Sequence, residues 1–312
     1  MTDFLKKVYH KVRWYVTGKY NQPFTLNDGQ KKMSYFGKPI LSQEQGADAI
    51  FHTLKTGAPT MISRFGATEL NYLYYYLINR GKTWTDYHRR EITHQSGFFP
   101  TENESLNRFC KLYLDTVKSV DVLGVWFKPG EDYLVKKYMS KARLVPLRSL
   151  EPYYNPGSPW SRALEGKKVL VVHPFDQTIG SQFQKRQLLF KGSEVLPDFK
   201  LITYKAVQSL NGSTQYASWF EALEEMKSGI KNIEFDVAII GAGAYGMPLA
   251  SFVKSLGKQA VHMGGATQIL FGIKGNRWDD KEFFQNMYNE HWTRPSETER
   301  PKGPLLEGAC YW

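Results

Sequence analysis

Three glycines follow one apolar segment at a spacing that suits phosphate binding. In FDVAIIGAGAYGMPLA, Gly241, Gly243 and Gly246 stand between a strand pattern and a helical pattern. This places a G-x-G-x-x-G motif in its strand, turn and helix context. Glycine lets the backbone turn tightly and approach a phosphate, whose charge is met by unpaired N–H groups and the positive end of the helix. The alternative is that these glycines only permit close packing of the helix on the strand.

A second glycine turn follows the next apolar segment. The turn and the polar side chains after it are Gly264, Gly265, Thr267, Gln268, Lys274 and Arg277. A hydroxyl, an amide and two cations beside a helix start can hold a diphosphate or a sugar. The two cations are equally compatible with solvated surface charge.

A dinucleotide site of the usual kind needs Asp or Glu at the end of the strand after the glycine motif, where it holds the ribose hydroxyls. This chain has His262, Met263 and Gly264 there. The sequence therefore disfavours a standard NAD enzyme.

Charged residues also flank a turn near the start of the apolar pattern. The stretch MISRFGATEL places Arg64 at a strand end, Gly66 in the turn and Glu69 in the first turn of the next helix. The planar fork of an arginine suits phosphate oxygens. A carboxylate in a first turn also interacts favourably with the helix dipole, so Glu69 alone does not define a site.

Histidines end two further strand patterns, His173 in VLVVHPF and His262 in QAVHMGG. Either could accept a proton in catalysis, and either could be a hydrogen-bonded structural residue. Ligands of open α/β sheets bind beyond the carboxyl ends of the strands. We therefore expect Arg64, Gly241 and both histidines to meet at one ligand-binding edge.

The elements that must position these residues alternate along the chain. Strand patterns cover residues 60–63, 120–126, 144–147, 168–172, 201–204, 235–240 and 259–263, and helical patterns cover residues 67–78, 219–230 and 247–256. This alternation predicts an α/β fold of Rossmann-like, doubly wound type, with a mostly parallel sheet and helices on both faces.

The same patterns predict three regions. Residues 1–50 form a basic, helical N-terminal extension, residues 51–292 the α/β domain and residues 293–312 an irregular tail whose last three residues are apolar enough to dock on the fold. The domain has two possible halves, residues 51–150 and 165–292. Prolines and a glycine between residues 150 and 164 predict a linker or crossover between them.

Composition limits the partners and the location. The formal net charge of +11 favours anionic partners. The two cysteines are far apart without a CxxC spacing, which argues against a disulfide framework or a structural zinc site and favours the cytoplasm. The sequence shows no signal peptide and no spanning segment of about 18 apolar residues. Residues 1–20 have the pattern either of a basic helix lying on the inner face of the plasma membrane or of a helix packed on its own domain.

Several segments resemble a known family. SRFGATEL is similar to the RFGDGE-type element of bacterial glycosyltransferases of the GT-D fold. The stretches PWSRALEGKKVLVVHPF, AIIGAGAYGMPLA, HMGGATQILFGIKGNRW and EGACYW are similar to the wider GT-D-like group associated with surface polysaccharide genes. The resemblance spans most of the chain from about Pro59 onward. It implies a GT-D-like fold and transfer of a sugar from a nucleotide-diphosphate donor to a hydroxyl of a glycan or lipid-linked acceptor.

The resemblance also bears on a metal. In GT-D enzymes a D-x-E element coordinates a divalent ion that bridges the donor diphosphate, whereas this chain has Ala67 where the Asp would stand and matches only the Glu, as Glu69. A manganese or magnesium ion would need another oxygen donor. Arg64, Lys274 and Arg277 offer a metal-free way to neutralise the leaving group. No metal site is therefore assigned.

These observations give one expected function and two rivals. The residues expected to bind the donor are Arg64, Gly66, Gly241, Gly243, Gly246, Gly264, Gly265, Thr267, Lys274 and Arg277. Glu69 is expected to orient the sugar or a metal, and His173 or His262 to serve as a base. The rivals are an NAD(P)-binding oxidoreductase and a non-catalytic subunit that binds a sugar nucleotide. No recognisable RNA-binding motif occurs, so nucleic acid is not an expected partner.

Overall fold

The computed structural model describes residues 34–209, 215–300 and 310–312. Most of the expected N-terminal extension, including the basic segment of residues 1–20, lies outside these ranges. None of the described helices combines the length and the apolar character needed to cross a bilayer.

The strands are β1 (Ser34–Tyr35), β2 (Lys38–Pro39), β3 (Thr60–Arg64), β4 (Val122–Val125), β5 (Arg143–Pro146), β6 (Lys168–His173), β7 (Lys200–Lys205), β8 (Val237–Ile240) and β9 (Gln259–His262). All seven predicted strands are present as β3 to β9. Each begins and ends within about two residues of the predicted bounds, the usual uncertainty of strand and helix ends.

The helices are α1 (Gln43–Lys55), α2 (Ala67–Asn79), α3 (Asp86–Ser96), α4 (Asn103–Thr116), α5 (Glu131–Tyr138), α6 (Asp176–Phe183), α7 (Arg186–Leu189), α8 (Trp219–Lys231), α9 (Gly246–Ser255), α10 (Thr267–Leu270), α11 (Asn276–Asp279) and α12 (Glu282–Met287). Local sequence explains several ends. A capping box formed by Ser42 and Gln45 starts α1. Two residues after α9, the predicted stop signal Gly257 adopts a φ of 78°, which favours glycine.

Strands β3 to β9 form one parallel sheet in the order β5-β4-β3-β9-β8-β6-β7. Near its centre β3 pairs with β9, so that Thr60 lies beside Gln259 and Ile62 beside Val261. Because every strand runs in the same direction, all carboxyl ends lie along one edge. The structure confirms the predicted α/β class and the parallel sheet.

Each face of the sheet carries its own apolar core. Side chains alternate along a strand, so Val237 and Ile239 of β8 enter one core while Ala238 and Ile240 enter the other. Helices α2, α4, α8 and α9 cover the second core, and α1, α6 and the turn Trp160–Leu164 cover the first. The predicted helices on both faces are therefore present.

The segment of residues 150–164 carries the chain from β5, at one edge of the sheet, to β6 near the other edge. It is built of two short 3-10 turns, Pro152–Tyr154 and Trp160–Leu164. Trp160 is fully buried, and its Nε1 donates to the Leu150 carbonyl at 3.0 Å. The segment is thus a packed crossover. The boundary expected between residues 50 and 51 falls inside α1.

Candidate functional site

A cavity of about 470 Å³ opens at the carboxyl edge of the sheet. Residues at or beyond the carboxyl ends of β3, β4, β6, β8 and β9 line it, among them Arg64, Glu69, Trp126, His173, Gly243, His262, Gly264 and Arg277. Its size is typical of a small-molecule site. The parallel topology brings these residues together at the edge where the sequence predicts a ligand.

Arg64 is the last residue of β3 and directs its guanidinium into the cavity. Its Nε donates to the Phe65 carbonyl at 2.9 Å, and its guanidinium carbon lies 3.9 Å from the centre of the Trp126 ring. None of the described residues accepts a hydrogen bond from the two terminal nitrogens. Burial lowers the pKa of Arg64 to about 10, so the side chain remains a cation at neutral pH.

The loop between β4 and α5 holds Trp126 in place. The carboxylate of Glu131 is fully buried and accepts hydrogen bonds from the backbone N–H groups of Trp126 and Phe127, each at 2.9 Å. The Tyr35 hydroxyl donates to the same carboxylate at 2.8 Å. Burial raises the pKa of Glu131 to about 7. The ring beside Arg64 is therefore supported by a loop whose backbone is bonded to one buried acid.

Glu69 lies on the first turn of α2 and lines the cavity. Its Oε1 accepts a hydrogen bond from the buried Ser96 hydroxyl at 2.7 Å. Gly66 precedes the helix, and a Cβ there would overlap Glu69 Oε2. Glycine at position 66 thus leaves the space that the carboxylate occupies.

Both candidate histidines are buried and neutral. His173 Nδ1 accepts from the Phe175 N–H at 3.0 Å, and His262 Nδ1 lies 3.0 Å from the Ser63 hydroxyl. Burial lowers the pKa of His173 to about 3, and burial together with the positive charge of Arg64 lowers that of His262 to about 3. A base with so low a pKa accepts a proton weakly at neutral pH.

Two glycines of the first motif make room for these imidazoles. A Cβ at Gly241 would lie 2.6 Å from His173 Cδ2, and one at Gly246 would overlap His262 Nε2. Gly243 differs, because it has a φ of 52° and no atom within 4 Å of its Cβ position. Gly241 and Gly246 therefore leave space for neighbouring side chains, whereas Gly243 permits a left-handed turn whose Cβ position is open.

The second glycine turn faces Arg64 and Tyr311. Gly264 has a φ of 66°, and its Cβ position lies 3.4 Å from Arg64 Nη1. A Cβ at Gly265 would overlap the Tyr311 ring. The turn thus brings the backbone close to a cation on one side and to an aromatic ring on the other.

Of the polar residues predicted after the second glycine turn, some border the cavity and others do not. Arg277 lines the cavity, and its Nη1 donates to the Tyr311 hydroxyl at 3.0 Å. The Lys274 ammonium instead lies 5.0 Å from the Tyr288 ring centre, and Lys274 is absent from the cavity lining. Thr267 is fully buried behind Gly241, and its hydroxyl has no hydrogen-bond partner among the described residues.

Aromatic residues in the lining extend the predicted set. Trp126, Tyr245, Tyr311 and Trp312 all border the cavity. Trp126 ends a predicted strand, so the reasoning used for Arg64 and His173 could have found it. Tyr245 lies within the glycine motif and stacks on Trp219 with ring centres 4.7 Å apart. No local pattern marks Tyr311 as part of a site 247 residues away from Arg64 in sequence (311 − 64).

The described residues do not fit a divalent metal held by the protein alone. No group of three or more His, Cys, Asp or Glu side chains among them is arranged to hold an ion. Glu69 is the one carboxylate side chain in the described lining, and Ser96 already bonds one of its oxygens. A hard cation such as magnesium prefers about six oxygen ligands, so we assign no chemistry here to a resident metal.

Comparison with known proteins gives two structural likenesses. No family model and no curated protein matches the chain. A structure reported as showing that the highly conserved domain of unknown function 1792 has a distinct glycosyltransferase fold is 13% identical, with a TM-score of 0.46. A selenomethionine-substituted structure of the same domain is 14% identical, with a TM-score of 0.45. Each alignment covers 83% of this chain and 92% of the other.

Proposed function

We propose that this chain is a glycosyltransferase whose donor is a nucleotide-diphosphate sugar. The observation that carries the proposal is the guanidinium of Arg64, whose terminal nitrogens meet no acceptor among the described residues although they border a partly enclosed cavity. Arg64 is half-buried, and a cation withdrawn from water is costly unless an anion pairs with it. Phosphate oxygens match the geometry of the arginine fork, and Arg277 adds a second cation to the same cavity.

The proposed reaction uses three side chains of the cavity lining, Arg64, Arg277 and Glu69. The oxygen of an acceptor hydroxyl forms a bond to the anomeric carbon, the bond from that carbon to the diphosphate breaks, and the diphosphate leaves with the electron pair. Arg64 and Arg277 neutralise the charge that develops on the leaving group. Glu69 orients the transferred sugar and receives the hydroxyl proton, because it is the one carboxylate side chain in the described lining. His173 and His262 then shape the glycine turns.

The acceptor of the proposed reaction is inferred from the sequence resemblance and not from the cavity. A glycan or lipid-linked hydroxyl in bacterial surface polysaccharide synthesis is what the sequence resemblance implies. A cytoplasmic enzyme that contacts the inner membrane face through residues 1–20 would meet such an acceptor. The net charge of +11 favours both an anionic donor and an anionic membrane surface.

A ligand screen tests the proposal. We expect one sugar nucleotide among UDP, GDP and dTDP sugars, and no CMP sugar, to raise the melting temperature of the native chain, because binding to the native state stabilises it by mass action. Arg64→Gln should lose this shift. Arg186→Gln is the matched control, since Arg186 pairs with Asp198 and does not line the cavity. Running each ligand with and without manganese measures metal dependence.

Two results would contradict the proposal. Stabilisation by NADH or NADPH alone would favour an oxidoreductase, and stabilisation by a sugar nucleotide without transfer to any acceptor would favour a binding subunit. Once turnover is measured, Glu69→Gln should keep the donor-induced shift and lose transfer. Full activity in that variant would remove Glu69 from the mechanism.

A further inference from the structure

Residues 310–312 are bound to the cavity wall by main-chain contacts. The N–H of Asn276 donates to the Trp312 carbonyl at 2.7 Å, and the N–H of Arg277 donates to the Cys310 carbonyl at 2.9 Å. Gln268 Nε2 donates to the Tyr311 carbonyl at 3.1 Å. The segment therefore has a fixed place beside the second glycine turn, and its residues Tyr311 and Trp312 are part of the cavity lining.

Tyr311 makes two contacts with Arg277 in this place. Its hydroxyl accepts from Arg277 Nη1 at 3.0 Å, and the guanidinium carbon lies 4.6 Å from the centre of its ring. The ring fits only because residue 265 is glycine. A hydrogen bond and a cation–π contact together restrict the orientation of the guanidinium.

Arg277 and Arg64 act on one another. The charge of Arg277 lowers the pKa of Arg64, as expected for two cations that share a cavity. Two cations placed close together repel one another. An anion with two linked charged groups can pair with both cations and offset this repulsion. Lys274, the other cation predicted after the second glycine turn, lies against Tyr288 and adds no charge to this cavity lining.

We infer that Tyr311 is a positioning residue that holds Arg277 opposite the second phosphate of a diphosphate, while Arg64 binds the first. The inference deepens the proposed function and rests on it for the identity of the ligand. It makes the segment of residues 310–312 part of the anion site. The diphosphate is the chemical group recognised, whichever nucleotide carries it.

Calorimetric titration with inorganic pyrophosphate and with orthophosphate tests the inference. We expect the native chain to bind pyrophosphate more tightly than orthophosphate. Tyr311→Phe should weaken pyrophosphate binding about threefold to tenfold, and Arg277→Gln about tenfold to a hundredfold, as for loss of charge-assisted hydrogen bonds. In the Arg277→Gln background, Tyr311→Phe should have no further effect, because the Tyr311 hydroxyl acts on the anion through Arg277.

Controls separate positioning from folding. Tyr87→Phe removes a tyrosine hydroxyl that bonds Glu91 on α3, away from the cavity, and should bind as the native chain does. The melting temperature of ligand-free Tyr311→Phe should equal that of the native chain. Any of three results would overturn the inference. They are additive losses of affinity in the double variant, native affinity in Tyr311→Phe, and no binding of pyrophosphate by the native chain.

The outcome also distinguishes the two proposals. Coupled pyrophosphate binding by Tyr311 and Arg277 without any effect of sugar nucleotides would keep the anion site and reject the transferase. Stabilisation by a sugar nucleotide with unchanged affinity in Tyr311→Phe would do the reverse.

Discussion

His262 is enclosed by groups that are distant in sequence. Its Nδ1 lies 3.0 Å from the Ser63 hydroxyl on β3, its Nε2 faces Gly246 at the start of α9, and Arg64 adds a positive charge nearby. The glycine motif was recognisable from sequence, but the reason for its third glycine was not. That reason is the volume of an imidazole on the neighbouring strand, and a local pattern carries no information about it.

Substitution of two helical glycines would test this explanation. Gly246→Ala should lower the free energy of unfolding by about 1–3 kcal/mol, because the added methyl group must displace His262. Gly180→Ala is the matched control. Gly180 lies in α6 with nothing near its Cβ position, so alanine should raise the free energy of unfolding by about 0.5–1 kcal/mol. Urea unfolding measures both, and equal effects would refute the packing explanation.

The loop between β4 and α5 shows what can be predicted about an element. The preceding strand, β4, was evident from its apolar residues, and the position of the loop at the carboxyl edge followed from the parallel sheet. The hydrogen bonds of Glu131 were not evident, because one partner, Tyr35, lies 96 residues earlier in the chain. Long-range contacts of this kind decide how firmly Trp126 is held beside Arg64.

The pH dependence of stability tests the role of Glu131. Its folded pKa of about 7 exceeds the ordinary 4.5, so the folded chain holds this proton more tightly than the unfolded chain does. The contribution is fully present below pH 4.5 and is lost as the pH rises through 7.

We expect this group to add up to ~3 kcal/mol to the unfolding free energy at low pH relative to pH 8. Glu131→Gln should lack that dependence. Urea unfolding of both chains at pH 5 and pH 8 gives the two differences, and the same difference in the variant and the native chain would contradict the assignment.

At the scale of the whole molecule, the spacing of apolar residues and the turn residues sufficed to predict the seven strands of the parallel sheet and the edge at which Arg64, His173, Gly241 and His262 lie. They did not suffice to sort the residues after the second glycine turn. Lys274 and Arg277 look alike in sequence, yet Arg277 enters the cavity while the backbone of Lys274 bonds to Thr293 and its ammonium lies against Tyr288. The difference comes from the path of the C-terminal segment, which is bonded to Asn276 and Arg277. The sequence predicts that residues 310–312 dock on the fold, but it does not predict that they border the cavity.

The two possible halves of the α/β domain contribute to one sheet, so we expect neither to fold alone. Residues 34–164 contain β3 to β5 and residues 165–312 contain β6 to β9, and each fragment would expose the edge that forms the β3–β9 pair. Expressed separately, both should lack a cooperative urea transition that the full chain shows. A cooperative transition in either fragment would show that it is an independent domain.

The pairing of β3 with β9 also has a consequence for synthesis on the ribosome. Strand β3 ends at Arg64, but its partner is completed only at His262, the last residue of the sheet to be made. About 200 residues must be added in between, which takes tens of seconds at elongation rates of roughly 5–20 residues per second. Throughout that time the edge of β3 that will pair with β9 has no partner strand, and its unpaired N–H and C=O groups are a template for aggregation. We therefore expect a chain that stops before β9 to aggregate more readily than the full chain.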